Sequence, residues 1–121
     1  MMRLPRFRYQ APKKLAEAAK ILASEPDSAL VAGGTDLYPN MKRRQQTPRT
    51  VIGLRQIEQL YRRRGTPAKG LTIGAMTSLT HLENDAAVRA AWPALAAAAS
   101  LISTPPLRNM GTLGGNLCLD T

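Results

Sequence analysis

Cysteine is nearly missing from this chain: Cys118 is the single example in 121 residues. That excludes an internal disulfide, and one thiol cannot make a four-thiolate zinc or iron–sulfur site. No metal centre is expected, and Cys118 reads as a small apolar packing residue in a loop. Histidine is equally scarce. His81 has no identifiable partner base or nucleophile, so a surface or packing role is expected of it. Aromatic residues make up 4% of the chain, which leaves the core to Ala, Leu, Ile, Val and Met. No run approaches the ~20 apolar residues of a membrane-spanning helix, and the opening residues 1–6 carry no signal-peptide pattern. No membrane association is expected, and the cytoplasm is the expected compartment. Acidic residues are also few, 8 against 17 Lys and Arg, for a net charge of +9. Such a balance attracts nucleic acid, anionic lipid or an acidic protein surface without choosing among them. The basic residues gather in three patches, Arg3 to Arg8, Lys42 to Arg44 and Arg62 to Arg64, with no continuous basic tail.

What is present suits a folded chain. Hydrophobic residues at 44% and charged residues at 21% are near the averages for globular domains, and the length allows one domain with one core. Phe7, Arg8 and Tyr9 precede Pro12 and read as a short strand. From Lys13 to Ala23 the apolar Leu15, Ala18, Ala19 and Leu22 share one helical face. Ala29, Leu30, Val31 and Ala32 form a short apolar run of the kind buried on both faces of a sheet. Gly33 and Gly34 stop it. Thr35 or Asp36 should open the next helix, because Pro39 is tolerated only in a first turn. Residues 49–53 read as another strand, so residues 7–53 alternate strand and helix, the pattern of parallel pairing through helical crossovers.

The second half changes character. Tyr61 to Arg64 and Leu71 to Ala75 flank a turn-forming stretch and predict an antiparallel hairpin, with a boundary near residues 53–57. Ser78 or Thr80 should cap a short helix. Trp92 and Pro93 open an Ala-rich helix to about Leu101, and Pro105 with Pro106 forbids its continuation. The last segment, residues 111–116, is read as a glycine-rich turn with no helix behind it.

Two segments carry the chemistry. In Ala32-Gly33-Gly34-Thr35-Asp36-Leu37, paired glycines let a ligand approach the backbone, and the helix start offers unpaired N–H donors to an anion such as a pyrophosphate. Neither the G-x-G-x-x-G fingerprint nor the G-x-x-x-x-G-K-[ST] loop is present, so ATP and NAD are poorly supported. An ordinary tight turn between strand and helix suits the same residues, with Asp36 as the helix cap. In Thr112-Leu113-Gly114-Gly115-Asn116, hydroxyl, amide and glycine backbone can line a polar site, and a loop needing positive φ at Gly114 or Gly115 is the plainer account. The competing functional reading is the basic hairpin at Arg62, Arg63 and Arg64, which offers phosphate contacts to nucleic acid or a docking face to another subunit, but without interleaved aromatics other than Tyr61.

Three pieces of the chain together resemble the FAD-binding subunits and domains of the xanthine dehydrogenase, carbon monoxide dehydrogenase and 4-hydroxybenzoyl-CoA reductase group, the molybdenum hydroxylases. They are Leu30-Val31-Ala32-Gly33-Gly34-Thr35-Asp36-Leu37, then Leu71-Thr72-Ile73-Gly74-Ala75-Met76-Thr77-Ser78-Leu79, then Arg108-Asn109-Met110-Gly111-Thr112-Leu113-Gly114-Gly115-Asn116-Leu117. The ending Asn116-Leu117-Cys118-Leu119-Asp120-Thr121 looks most like the 4-hydroxybenzoyl-CoA reductase branch. The resemblance implies a truncated two-subdomain FAD-binding fold of the molybdopterin dehydrogenase (PCMH-type) kind, α/β plus α+β. Residues 1–54 would form the N-terminal α/β subdomain and residues 55–121 the start of the second, with FAD between them. The implied cofactor contacts are Leu30, Val31, Ala32, Gly33, Gly34, Thr35, Asp36 and Leu37 in one cradle and Gly111, Thr112, Leu113, Gly114, Gly115 and Asn116 in the other. Ile102 would bring an apolar side chain to the flavin. The implied partners are an iron–sulfur subunit and a molybdopterin subunit, with electrons passing between flavin and the partner's clusters. No residue here need be catalytic, and no nucleic acid is expected. Family members are considerably longer, and the 4-hydroxybenzoyl-CoA reductase branch carries several cysteines where this chain has one.

Overall fold

The computed structural model describes residues 2–119. The chain divides into two compact units, Met1–Gln59 and Leu60–Thr121, and each is described by itself.

The first unit is a three-stranded parallel sheet with its connecting helices. Strands β1 (Arg8–Gln10), β2 (Ser28–Val31) and β3 (Thr50–Gly53) are ordered β1-β3-β2, joined by helices α1 (Leu15–Ser24) and α2 (Leu37–Lys42). Both neighbours of β3 run parallel to it, Tyr9 opposite Val51 on one side and Ala29 opposite Val51 on the other. The alternation of strand and helix predicts this pairing. The burial it predicts falls on a different strand. All four residues of β3 are buried, whereas β2 lies at the sheet edge and leaves Leu30 43% exposed. A central strand is covered on both faces, and an edge strand is not.

Val31, Leu37, Met41 and Val51 form the core of this unit, with Phe7, Ala29 and Tyr38 packed against it. Helix α1 contributes less than its periodicity predicts. Ala18 is its one buried residue, and Leu15 and Leu22 are exposed. At the amino end of the strands the buried Thr50 hydroxyl donates to Glu25 Oε2 at 3.1 Å, and Arg8 lies 3.6 Å from the same oxygen. A polar group at the bottom of an otherwise apolar strand is thereby satisfied.

The second unit begins with an antiparallel hairpin, β4 (Arg63–Thr66) and β5 (Gly70–Ile73). The hairpin starts two residues later and ends two earlier than the sequence predicts, and its strands run further into the turn, to Thr66 and from Gly70; Tyr61 belongs instead to a short 3-10 turn, Glu58–Tyr61. Helices α3 (Leu79–Asn84), α4 (Ala86–Ala91), α5 (Pro93–Leu101), α6 (Pro105–Met110) and α7 (Leu113–Leu117) follow. Leu82, Val88, Ala96 and Ala99 make its core, joined by Leu71, Ile73 and Leu113. The small alanines of α5 let α3 and α4 pack closely on it.

Ser78 caps α3 by accepting the His81 N–H at 3.1 Å, and Asp85 caps α4 by accepting that of Val88 at 3.0 Å. Helix α4 is unanticipated, since its six residues carry one buried side chain, Val88. Pro105 and Pro106 end α5 as expected, yet they also begin α6. The first turn of a helix tolerates proline because its N–H groups have no internal partner.

Candidate functional site

Residues 30–37 wrap the carboxyl end of β2 and the start of α2. Val31 and Leu37 turn their side chains into the core, while Ala32, Gly33, Gly34 and Thr35 are half-buried and Asp36 is exposed. Val31 O accepts the Leu54 N–H at 3.0 Å, which fixes the strand end. Gly34 has φ +78, and a Cβ placed there would lie 2.6 Å from the Tyr38 ring. The turn therefore needs glycine at 34 on its own account, whatever binds beside it.

The first bonds of α2 run from Tyr38 N–H to Gly34 O at 3.3 Å and from Asn40 N–H to Asp36 O at 3.1 Å. Among the described residues no backbone hydrogen bond engages the N–H of Thr35, Asp36 or Leu37. Asp36 stands at the N-cap position, where the helix was expected to open, but its side chain makes no capping bond, contrary to expectation. Its backbone is already helical, with φ −106 and ψ −51, and its Oδ2 instead accepts from Asn40 Nδ2 at 3.0 Å. A carboxylate bonded along the helix leaves the N–H groups open to an incoming anion. Beside the turn, burial pushes the Tyr38 phenol above its ordinary pKa, the Tyr9 phenol adds to the rise, and Arg55 opposes it.

Residues 111–116 are built differently, and the expected free loop is corrected on three points. Thr112 caps a helix, α7, by accepting the Gly115 N–H at 3.1 Å. Neither Gly114 nor Gly115 has positive φ. The backbone donors are also engaged inside the protein: Leu113 N–H reaches Thr77 O and Gly114 N–H reaches Ala75 O, both at 2.8 Å, and Asn116 N–H reaches Thr112 O at 2.9 Å. Thr112 pairs with Ser78 in an isolated antiparallel bridge, reinforced by Leu79 N–H to Gly111 O at 2.9 Å. Gly114 seats α7 on residue 75, since a Cβ there would lie 2.6 Å from Ala75 Cβ. Thr112 is 5% exposed and its hydroxyl serves the cap, so what this segment still offers a ligand is the half-buried side chain of Asn116 and the surface at Gly115, which is exposed.

The structure thus brings residues 75–79 against residues 111–114, a pairing with no local signal because ~35 residues separate the partners. That pairing sets Ala75, Thr77 and Ser78 beside the second segment, with Ser78 serving as the expected helix cap. Ile102 is half-buried and follows α5 as its C-cap. Its carbonyl accepts from Arg108 Nη1 at 3.1 Å. Leu30 to Leu37 lie in one unit, and Ile102 with Gly111 to Asn116 lie in the other.

Cys118 is exposed at the end of α7, where a packing residue was expected. Among the described residues no group of three or more His, Cys, Asp or Glu side chains is placed to hold a metal ion, and no helix is long and apolar enough to cross a membrane.

A parallel α/β layer with a helix start at a strand's carboxyl end is a setting in which α/β proteins receive anionic cofactors. Residues 5–121 match the family described as the FAD binding domain in molybdopterin dehydrogenase. The carbon monoxide dehydrogenase medium chain of Hydrogenophaga pseudoflava is 43% identical over 116 residues, which is 93% of this chain and 39% of that one. The nicotinate dehydrogenase FAD-subunit of Eubacterium barkeri is 38% identical over 92% of this chain and 38% of its own. The solved carbon monoxide dehydrogenase of H. pseudoflava superposes with a TM-score of 0.89 at 41% identity, covering 96% of this chain and 40% of that one. Quinoline 2-oxidoreductase from Pseudomonas putida 86 gives the same TM-score at 33% identity, over 96% and 40% of the two chains. The chain belongs to the FAD-binding domain family of the molybdopterin dehydrogenases, and FAD is the cofactor of that family. It spans about two fifths of the length of the curated relatives it matches.

Proposed function

We propose that this chain is the flavin-holding portion of an FAD-dependent electron-transfer subunit in a cytoplasmic, molybdenum-containing hydroxylase or dehydrogenase. The observation that carries the reading is the open set of N–H donors at Thr35, Asp36 and Leu37, at the strand-to-helix turn of a chain whose family binds FAD. In this reading residues 30–37 receive the pyrophosphate, with backbone N–H groups donating to its oxygens. Asn116 contributes side-chain hydrogen bonds, Thr112 holds the α7 start in place as its cap, Gly115 contributes close approach, and Ile102 packs on the flavin. Residues 1–54 act as the α/β subdomain and residues 55–121 as the start of the α+β subdomain.

When bound, FAD supplies a group that takes up and releases electrons singly or in pairs. The chain's own residues bind and orient it, and none is required as a general acid or base. The reading extends to partners, an iron–sulfur subunit exchanging electrons with the flavin and a molybdopterin subunit carrying the substrate chemistry. The narrower assignment to the 4-hydroxybenzoyl-CoA reductase branch rests on residues 116–121, of which Asp120 and Thr121 lie outside the described residues.

The test is a titration of the flavin-depleted protein, purified with its full chain, against FAD and separately against duplex and single-stranded DNA. A stoichiometric change in flavin fluorescence supports the reading. No change with FAD, together with DNA binding that falls steeply with salt, overturns it in favour of the basic hairpin at Arg62, Arg63 and Arg64. A substrate screen of the purified complex decides the branch, and turnover of 4-hydroxybenzoyl-CoA is the result the narrower assignment requires.

A further inference from the structure

Arg108 has an environment unlike that of the other arginines described in the chain. Its side chain is 13% exposed, and Nε lies 3.3 Å from Oε2 of Glu83, itself 17% exposed. That contact is electrostatic, because Nε is buried and makes no aligned hydrogen bond. The donating atom is Nη1, which bonds Ile102 O at 3.1 Å and reaches Ser103 O at 3.5 Å. Ser103 has φ +52, a left-handed conformation rare for a residue with a side chain. One guanidinium therefore spans both carbonyls of a strained bend, and α3 supplies the carboxylate that holds it. The same helix begins at Ser78, opposite Thr112. Helix α3 thus braces the 102–103 bend near its end and the Thr112 segment at its start.

We propose that Arg108 is a positioning residue for the flavin: by clamping the carbonyls of Ile102 and Ser103 it fixes the direction of the Ile102 side chain. This rests on the reading that Ile102 packs on bound flavin. Glu83 has the secondary task of keeping the guanidinium flat against the bend. Nη1 points one N–H at each carbonyl, and the planar guanidinium holds those two directions fixed, which an ammonium on a flexible stem does less well.

The test uses the full-chain protein with Arg108→Met, Arg108→Lys and Glu83→Gln. In the flavin-free state, amide exchange at Ile102 and Arg108, whose N–H groups bond Ala99 O and Thr104 O on either side of the bend, is expected to rise about tenfold in Arg108→Met, since the bend loses the bonds that close it. With FAD, the visible circular dichroism of the bound flavin is expected to change shape and the Kd to rise about tenfold, the worth of one charge-assisted hydrogen bond. Arg108→Lys should lie between wild type and Arg108→Met, and it serves as the primary variant if the methionine form does not fold. Unchanged exchange in the substituted proteins would remove the clamp. Faster exchange with an unaltered flavin spectrum and Kd would sever the clamp from the flavin and overturn the inference. A wild-type protein that binds no FAD, with exchange still accelerated by the substitution, overturns the proposed function and with it the flavin role, leaving the bend clamp alone.

Discussion

The two glycine-rich segments look interchangeable in sequence, Gly-Gly-Thr-Asp-Leu in one unit and Gly-Thr-Leu-Gly-Gly in the other, yet they spend their backbone donors in opposite ways. At residues 33–37 the N–H groups of Thr35, Asp36 and Leu37 take no backbone partner among the described residues, and the Asp36 carboxylate bonds Asn40 instead of capping. At residues 111–116 the Leu113, Gly114, Gly115 and Asn116 N–H groups are all taken, by Thr77, Ala75 and Thr112. The glycines differ as well. Gly34 serves a left-handed turn, whereas Gly114 lets α7 seat closely on residue 75. A Gly-Gly pair marks close approach of something, and the identity of that neighbour, an anion or another part of the same chain, is a separate question.

Substitutions break this comparison in graded steps. Gly34→Ala should have the largest effect, because strained φ and overlap with the Tyr38 ring act together; we expect a loss of about 2 kcal/mol or more in the flavin-free protein, read by chemical denaturation. Gly114→Ala should cost about 1–3 kcal/mol through the Ala75 contact alone. A neutral result there would mean that the 75–79 and 111–114 pairing opens at little cost. Gly65→Ala is a poor control for either, since the hairpin holds Gly65 at φ +91 and its Cβ would collide with the Gly70 carbonyl.

The caps give a middle rung. Thr112→Val removes a working cap and should destabilise by about 1 kcal/mol, while Asp36→Ala removes none and should stay within about 0.5 kcal/mol. Equal losses from the two would mean that Asp36 caps in solution. Gly115→Ala sharpens the contrast further. The site is exposed and helical, so the fold should be unchanged or gain up to about 1 kcal/mol. A weaker FAD affinity in that variant, with stability intact, would identify ligand approach at the second segment, and an unchanged affinity would leave that segment a structural brace.

The smallest differences are in pH response, and they have opposite signs. Tyr38 has a folded pKa raised above its ordinary 10.0, chiefly by burial. Its contribution is therefore complete below pH 10 and is lost as pH climbs through the raised value. Asp85 has a folded pKa lowered below 3.8, first by the Val88 N–H and then by Arg63 at 3.0 Å. Its contribution is complete above that ordinary value and is lost as pH falls through the depressed one. Urea denaturation across pH should show the alkaline loss reduced in Tyr38→Phe and the acid loss reduced in Asp85→Asn. The reverse assignment would contradict the burial of the one and the capping of the other.

Local pattern made much of the fold readable in advance. Strand and helix alternate through residues 7–53 with short links, and parallel order follows because only helical crossovers join such strands. Pro39 fixed where α2 could begin, and Trp92-Pro93 fixed the start of α5. The resemblance to the FAD-binding family also rested on contiguous runs, which a sequence carries whole. What local pattern could not carry was competition between distant groups. The burial of β3 instead of β2 depends on which strand the sheet places in the middle. Asp36 lost its cap to Asn40 because its backbone is already helical, and Pro105 opened a helix because α5 had ended and the chain could turn. The donors of Leu113 and Gly114 were spent on Thr77 and Ala75, some 36 to 39 residues back in the chain by their numbers. A hydrogen bond is satisfied by whichever partner folding brings within ~3 Å, and along the chain alone that partner has no address.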